Sequence, residues 1–142
     1  MKVDIRDLQN KLKIDKEKIT KCAEFILKEM GEDSAELSLL FVNDSHIKRL
    51  NRKYRDVDLK TDVLAFSMRE GHGLPEGSPI LGDVVISTET AKREAKKRRI
   101  PIQKEILLYL AHGILHLLGY KDETASDKKK MMLKQKELLE AM

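Results

Sequence analysis

The chain has no tryptophan, and only three tyrosines and three phenylalanines among its 142 residues. A core built from it is mainly aliphatic, and the aromatic platforms on which single-stranded bases stack are scarce, so sequence-specific base reading is not expected. The single cysteine, Cys22, excludes an intramolecular disulfide and gives no sign of an oxidising compartment. It falls in the series Ile19, Cys22, Ala23, Ile26, Leu27, Met30, which reads as a small core residue and not as a nucleophile. Long apolar runs are missing too. The longest, Ile106 to Leu118, falls short of the roughly 20 residues that span a bilayer, and the opening MKVDIRDLQNKLKID has no apolar stretch of the signal-peptide kind. The expectation is a soluble, cytoplasmic protein with no membrane partner.

Charge is plentiful. Charged residues make up 37% of the chain, and 28 Lys and Arg against 24 Asp and Glu leave a net charge of only +4. The basic residues are unevenly placed: AKREAKKRR (Ala91 to Arg99) holds six against one acid, and KRLNRKYR (Lys48 to Arg55) holds five against none. Such patches suit a polyanion. They also suit solvated helix faces in a protein from a hot environment, where Lys and Glu are enriched.

The size fits one domain over residues 1–142. A short strand is expected at Val3 to Arg6. Asp15 caps a helix from Lys16 to Met30, with Gly31 just past its end. AELSLLFV (Ala35 to Val42) reads as a strand that stops at Asn43-Asp44. Ile47, Leu50 and Tyr54 recur as one apolar face of a second helix, whose other side carries Lys48, Arg52 and Arg55. TDVLAFS (Thr61 to Ser67) and LGDVVIS (Leu81 to Ser87) read as strands separated by a Gly- and Pro-rich loop. Ser87 or Thr88 caps a basic helix through Arg98, Pro101 opens a long helix to Leu118, and a last helix fills Ser126 to Ala141 with Met131, Met132, Leu138 and Leu139 toward the core. The order β-α-β-α-β-β-α-α-α gives an α+β fold, a single domain with a small mixed sheet and about five helices.

The apolar helix at Ile106 to Leu118 contains two histidines. Residues four apart share a helix face, so His112 and His116 can direct two ring nitrogens at one point. Gly119 suits a left-handed helix end that turns the chain back. Asp122 completes H-x-x-x-H-x-x-G-x-x-D. Two imidazoles and one carboxylate form a three-ligand set with room for water, as at a catalytic metal ion. The spacing is similar to H-E-x-x-H-x-x-G-x-x-H of the metzincin proteases, whose general base stands where this chain has Gly113. Without that base peptide hydrolysis loses about 10²–10⁴-fold, so a peptidase reading is weak.

HGILHLLGY, together with LNRKYRDVDLKTDVLAFS and LGDVVIS, resembles the YbeY family of bacterial endoribonucleases of rRNA maturation and ribosome quality control. The likeness runs from about Leu37 to Leu139, with the three motifs in family order. It implies an α+β fold with a metzincin-like metal-site helix, one zinc ion, and cleavage of single-stranded RNA, including maturation of the 16S rRNA 3′ end, in company with the small ribosomal subunit. The family metal motif is H-G-x-L-H-L-x-G-Y-D-H. His112 and His116 match its first two ligands, Asp122 stands where its third histidine would be, and Lys121 replaces the preceding aspartate. His72 and Glu123 are held as reserve ligands.

In the second motif Arg55 matches the arginine that faces the substrate phosphate, and a guanidinium can meet two nonbridging oxygens at once as charge builds on them. Asp62 either orients a ligand or Arg55, or caps its strand; Asp83 is similarly open. The expected reaction is attack of metal-held water or hydroxide on an RNA phosphodiester, with Arg55 stabilising the transition state and Lys48, Arg52, Arg93 and Lys97 holding the RNA backbone. The alternative is a non-catalytic, zinc-stabilised module that binds the ribosome or RNA.

Overall fold

The computed structural model describes residues 1–69 and 73–142; His72 lies outside them. Four strands and five helices follow in the expected order: β1 (Lys2–Asp7), α1 (Lys16–Glu29), β2 (Glu36–Val42), α2 (Asp44–Arg55), β3 (Val63–Ser67), β4 (Ile80–Ser87), α3 (Thr88–Arg98), α4 (Ile102–Leu117) and α5 (Ala125–Glu140). The helix starts follow side-chain chemistry. Asp15, Asn43 and Ser87 each accept a backbone N–H from the first turn of the helix they precede, and Thr124 and Asp127 form a reciprocal capping box on α5.

The strands form one mixed sheet in the order β1-β2-β4-β3, with β1, β2 and β4 parallel and β3 antiparallel to β4. Because side chains alternate along a strand, β2 and β4 serve two cores. Leu37, Leu39, Phe41, Val84 and Ile86 face the main core, which α1, α4 and α5 fill. Val42, Leu64 and Val85 face the other way, against Ile47 and the partly buried Leu50 of α2. Cys22 lies in the main core, where burial pushes its thiol up to about 11, the behaviour of a packing residue.

The basic patch on α3 is partly engaged in structure. Arg93 reaches Asp44 at 2.6 Å, and Arg98 lies 3.1 Å from Glu105, a fully buried carboxylate on α4. Two expectations are corrected. Met132 does not face the core: it is 67% exposed, because the buried stripe of α5 runs through Met131, Gln135 and Leu138, and a neighbour is rotated by about 100° from any of these. Tyr54 leaves the buried face of α2 and sets its ring edge-on to Phe66, with centroids 5.4 Å apart. Among the described residues, no helix is long and apolar enough to cross a membrane.

Candidate metal centre

The site begins with a helix apolar almost all the way round. Ile106, Tyr109, Leu110, Ala111, Gly113, Ile114, Leu115 and Leu117 are buried, which places α4 inside the molecule with its two histidines at the rim. Gly113 explains how close α4 lies to the sheet. A Cβ there would come within 2.5 Å of Val84 Cγ1 and 3.0 Å of Cγ2. The position of the metzincin general base is thus pressed against β4, and no side chain can extend from it toward the histidines without separating helix and sheet.

After Leu117 the chain closes in a Schellman turn. The Tyr120 N–H donates to Leu115 O and the Gly119 N–H to His116 O, both at 3.0 Å, with Gly119 at φ +99°. That reversal carries Asp122 back to the histidines. His112 Nε2 and His116 Nε2 are 3.1 Å apart, and Asp122 Oδ2 lies 3.4 Å from His116 Nε2 and 4.0 Å from His112 Nε2. Among the described residues, these three form the group of side chains able to hold a metal ion, with ligand atoms all within 4.8 Å of one another. A tetrahedral ion with bonds of about 2.0–2.2 Å spaces its ligands roughly 3.3–3.6 Å apart; the three separations here, 3.1, 3.4 and 4.0 Å, bracket that range, and two imidazoles with a carboxylate are a donor set that could hold such an ion.

Burial holds the His116 imidazole below its ordinary range, and the neighbouring His112 ring adds to the effect, while the Asp122 carboxylate opposes it. A neutral ring keeps a lone pair for a metal. Behind His112, Nδ1 lies 2.7 Å from the Oε1 of Gln135 on α5. The sequence reading missed Gln135, and its only signal was a polar residue in the stripe between Met131 and Leu138. Glu123 borders the adjoining cavity but does not join the cluster.

Arg55, at the last residue of α2, donates from Nη2 to Ala65 O at 3.2 Å, and its guanidinium stands 5.9 Å from the Phe66 ring centroid. The turn after it is fixed by Asp56 in the left-handed region and by Asn51, which is buried and donates to Leu59 O at 2.9 Å. Asn51 is a second residue that the sequence reading missed. Arg55, His116 and Asp122 line both a cavity of about 940 Å³, floored by Ser38, Asp83 and Val85 of the sheet, and a smaller one of about 310 Å³. The positive charge of Arg55 also acts on His116. Asp62 behaves as a strand cap, accepting from the Val63 N–H at 2.8 Å and the Thr61 hydroxyl at 3.2 Å. Lys48 and Arg52 are exposed on α2, and Arg93 and Lys97 on α3; none of the four lines either cavity.

The chain as a whole is similar to known proteins. A protein of Pelotomaculum thermopropionicum named endoribonuclease YbeY is 43% identical over 98% of this chain and 95% of its own length. One of the same name from Syntrophotalea carbinolica is 40% identical over 96% and 92%, and one from Aquifex aeolicus is 43% identical over 84% and 78%. A solution structure of a Thermotoga maritima protein superposes with a TM-score of 0.68 at 28% identity, covering 97% of this chain and 87% of that one. The family model described as endoribonuclease YbeY matches residues 4–142, and the chain belongs to that family.

Proposed function

We propose that this chain is a metal-dependent endoribonuclease that cuts single-stranded RNA, working in the cytoplasm on the 3′ end of 16S rRNA with the small ribosomal subunit. The observation that carries the reading is the convergence of His112, His116 and Asp122, within 4.8 Å, in the wall of the smaller cavity, which also holds Arg55. Family membership supports the ribonuclease class. The donor set suits zinc, which when bound supplies a Lewis acid and brings the pKa of a coordinated water toward neutrality.

The protein's own groups do the remaining work. Cleavage of a phosphodiester forms one P–O bond and breaks another, and negative charge builds on the nonbridging oxygens between these events. Arg55 is held by Ala65 O through one Nη2 hydrogen bond, which leaves the rest of its guanidinium fork to meet those oxygens. The unstacked bases of a single strand can be splayed into a cavity such as the one of about 940 Å³ over the sheet, and those of a duplex cannot. Lys48, Arg52 and Lys97 are proposed to hold the RNA backbone. Arg93 has its charge offset by Asp44 and its second Nη bonded to Thr90, so its share of binding is expected to be the smallest of the four.

The test is metal content and cleavage of a single-stranded 16S 3′-end RNA by wild type, Asp122→Ala and Arg55→Ala, each checked for folding. Expected are about one zinc per chain in wild type, loss of metal and cleavage in Asp122→Ala, and retained metal with about 10²–10³-fold slower cleavage in Arg55→Ala. If both variants cleave as wild type does, the activity is a contaminant and the protein is better described as a zinc-stabilised RNA-binding module.

A further inference from the structure

The metal site is assembled from two helices, because the Oε1 of Gln135, in the middle of α5, lies 2.7 Å from His112 Nδ1. Gln135 is a buried polar side chain on the face of α5 that otherwise presents Met131 and Leu138 to the core. A glutamine in such a stripe loses hydration unless its amide is satisfied, so its partner is part of the reason for the residue. The partner is one nitrogen of a ring whose other nitrogen, Nε2, stands 3.1 Å from His116 Nε2 and faces Asp122.

A neutral imidazole carries its proton on one nitrogen only, and whichever nitrogen carries it cannot bind a metal. An acceptor fixed at Nδ1 holds the proton there and leaves the Nε2 lone pair toward the site. It also fixes the ring plane, since the hydrogen bond lies in that plane. We propose that Gln135 is a positioning residue for the metal centre: its carbonyl oxygen accepts the His112 Nδ1–H, fixing the tautomer and orientation in which Nε2 binds metal, and thereby ties metal affinity to the docking of α5 on α4. The inference rests on the metal reading of the site given above. Because the acceptor is a neutral amide, it orients His112 without adding a second negative charge to a ligand set that already contains Asp122.

The experiment compares full-length wild type, Gln135→Leu and Gln135→Glu. Leucine keeps the bulk without an acceptor, and glutamate restores the acceptor. Zinc affinity is read by competition with a chromophoric chelator, the His112 tautomer by side-chain ¹⁵N shifts of the metal-free proteins, and folding by circular dichroism. Expected is a Nδ1–H tautomer in wild type, a mixture of tautomers and about 10–100-fold weaker zinc binding in Gln135→Leu, and recovery of both in Gln135→Glu. If Gln135→Leu is folded and keeps both the wild-type affinity and the wild-type tautomer, the inference is overturned while the metal site stands. If Gln135→Leu fails to fold, Gln135→Glu decides: the Nδ1–H tautomer with wild-type or tighter zinc binding supports the inference, and weakened binding overturns it. A wild type that binds no zinc overturns the metal reading, and this inference with it.

Discussion

Gly113→Ala tests whether α4 is seated on the sheet by the absence of a side chain. In an exposed helix interior this change stabilises by about 0.8–1 kcal/mol, because alanine loses less backbone freedom on folding. Here the new Cβ would stand 2.5 Å from Cγ1 of Val84, which is fully buried in β4. Val84 has a stiff χ1 and no free space to rotate into, so the helix must move off the strand. Overpacking of this kind costs about 1–3 kcal/mol, and the net result is a loss of about 1 kcal/mol, or roughly 3 °C in Tm for a chain of this size. A double-mutant cycle isolates the cause. Val84→Ala alone costs about 1.5–3 kcal/mol through lost burial, but in the Gly113→Ala background the shorter side chain also removes the clash, so its cost falls by the overpacking cost itself, about 2 kcal/mol. Urea denaturation of the metal-free proteins measures all four corners without metal linkage. If Gly113→Ala is stabilising by the full helix-propensity gain and Val84→Ala costs the same in both backgrounds, α4 does not approach β4 at this point.

The same construction makes other quantities measurable. Asp122→His replaces the carboxylate with a third imidazole, which must be neutral to bind metal, so zinc affinity should fall more steeply with acid in the variant than in wild type, as read by chelator competition at a series of pH values. Equal slopes would remove residue 122 from the ligand set. Burial works against the charge on Asp44, but hydrogen bonds from Arg93, Thr90 and Ser87 and the charge of Arg93 outweigh it and hold its carboxyl below the usual range; the hydrogen bond from Arg69 does the same for Glu32. A carboxyl depressed in the folded state is more protonated in the unfolded one, so its stabilisation is present above the ordinary value and is lost as pH falls below about 4. Asp44→Asn should lower stability at neutral pH and flatten that acid limb in urea titrations at a series of pH values, and an unchanged limb would refute the assignment. Lys48→Ala and Arg52→Ala should each reduce the slope of log K for single-stranded RNA against log salt by roughly 0.7, as read by fluorescence anisotropy. A slope left unchanged in both would take the α2 face out of the binding surface.

What could be read from the sequence was what lies close along the chain. His112, His116, Gly119 and Asp122 fall within eleven residues, and a helix with a left-handed end fixes their relative positions almost by itself. The caps at Asp15, Asn43 and Ser87 are equally local, which is why the elements begin where expected. Gln135 was illegible because it acts 23 residues away from its partner, and nothing around it distinguishes an amide in a core stripe from one on a surface. Met131 and Met132 show the same limit: two equivalent methionines stand side by side, and only the packing of α5 against α4 decides which is buried. Gly113 was legible as the absence of a base, and not as the point where helix and sheet meet. The basic run at Ala91 to Arg99 reads as one charged face, although Arg93 and Arg98 are engaged by Asp44 and Glu105.

Charge connects these parts of the site. Two neutral imidazoles and one carboxylate around a divalent ion would leave a single net positive charge, and Arg55 adds another at the wall of the same smaller cavity. With histidine at position 122 the metal centre would carry two positive charges by itself. In the proposed reaction the aspartate would therefore shift part of the burden of attracting and stabilising a phosphodiester from the metal to the guanidinium. Arg55 is placed for that proposed role: Ala65 O holds one nitrogen, the guanidinium carbon stands 5.9 Å from the Phe66 ring centroid, and Asn51 with Asp56 fixes the turn that ends α2. Gln135 fits the same logic, since a carboxylate behind His112 would remove a further positive charge from a centre that already contains Asp122. A neutral acceptor orients the ligand and leaves the remaining charge facing the RNA.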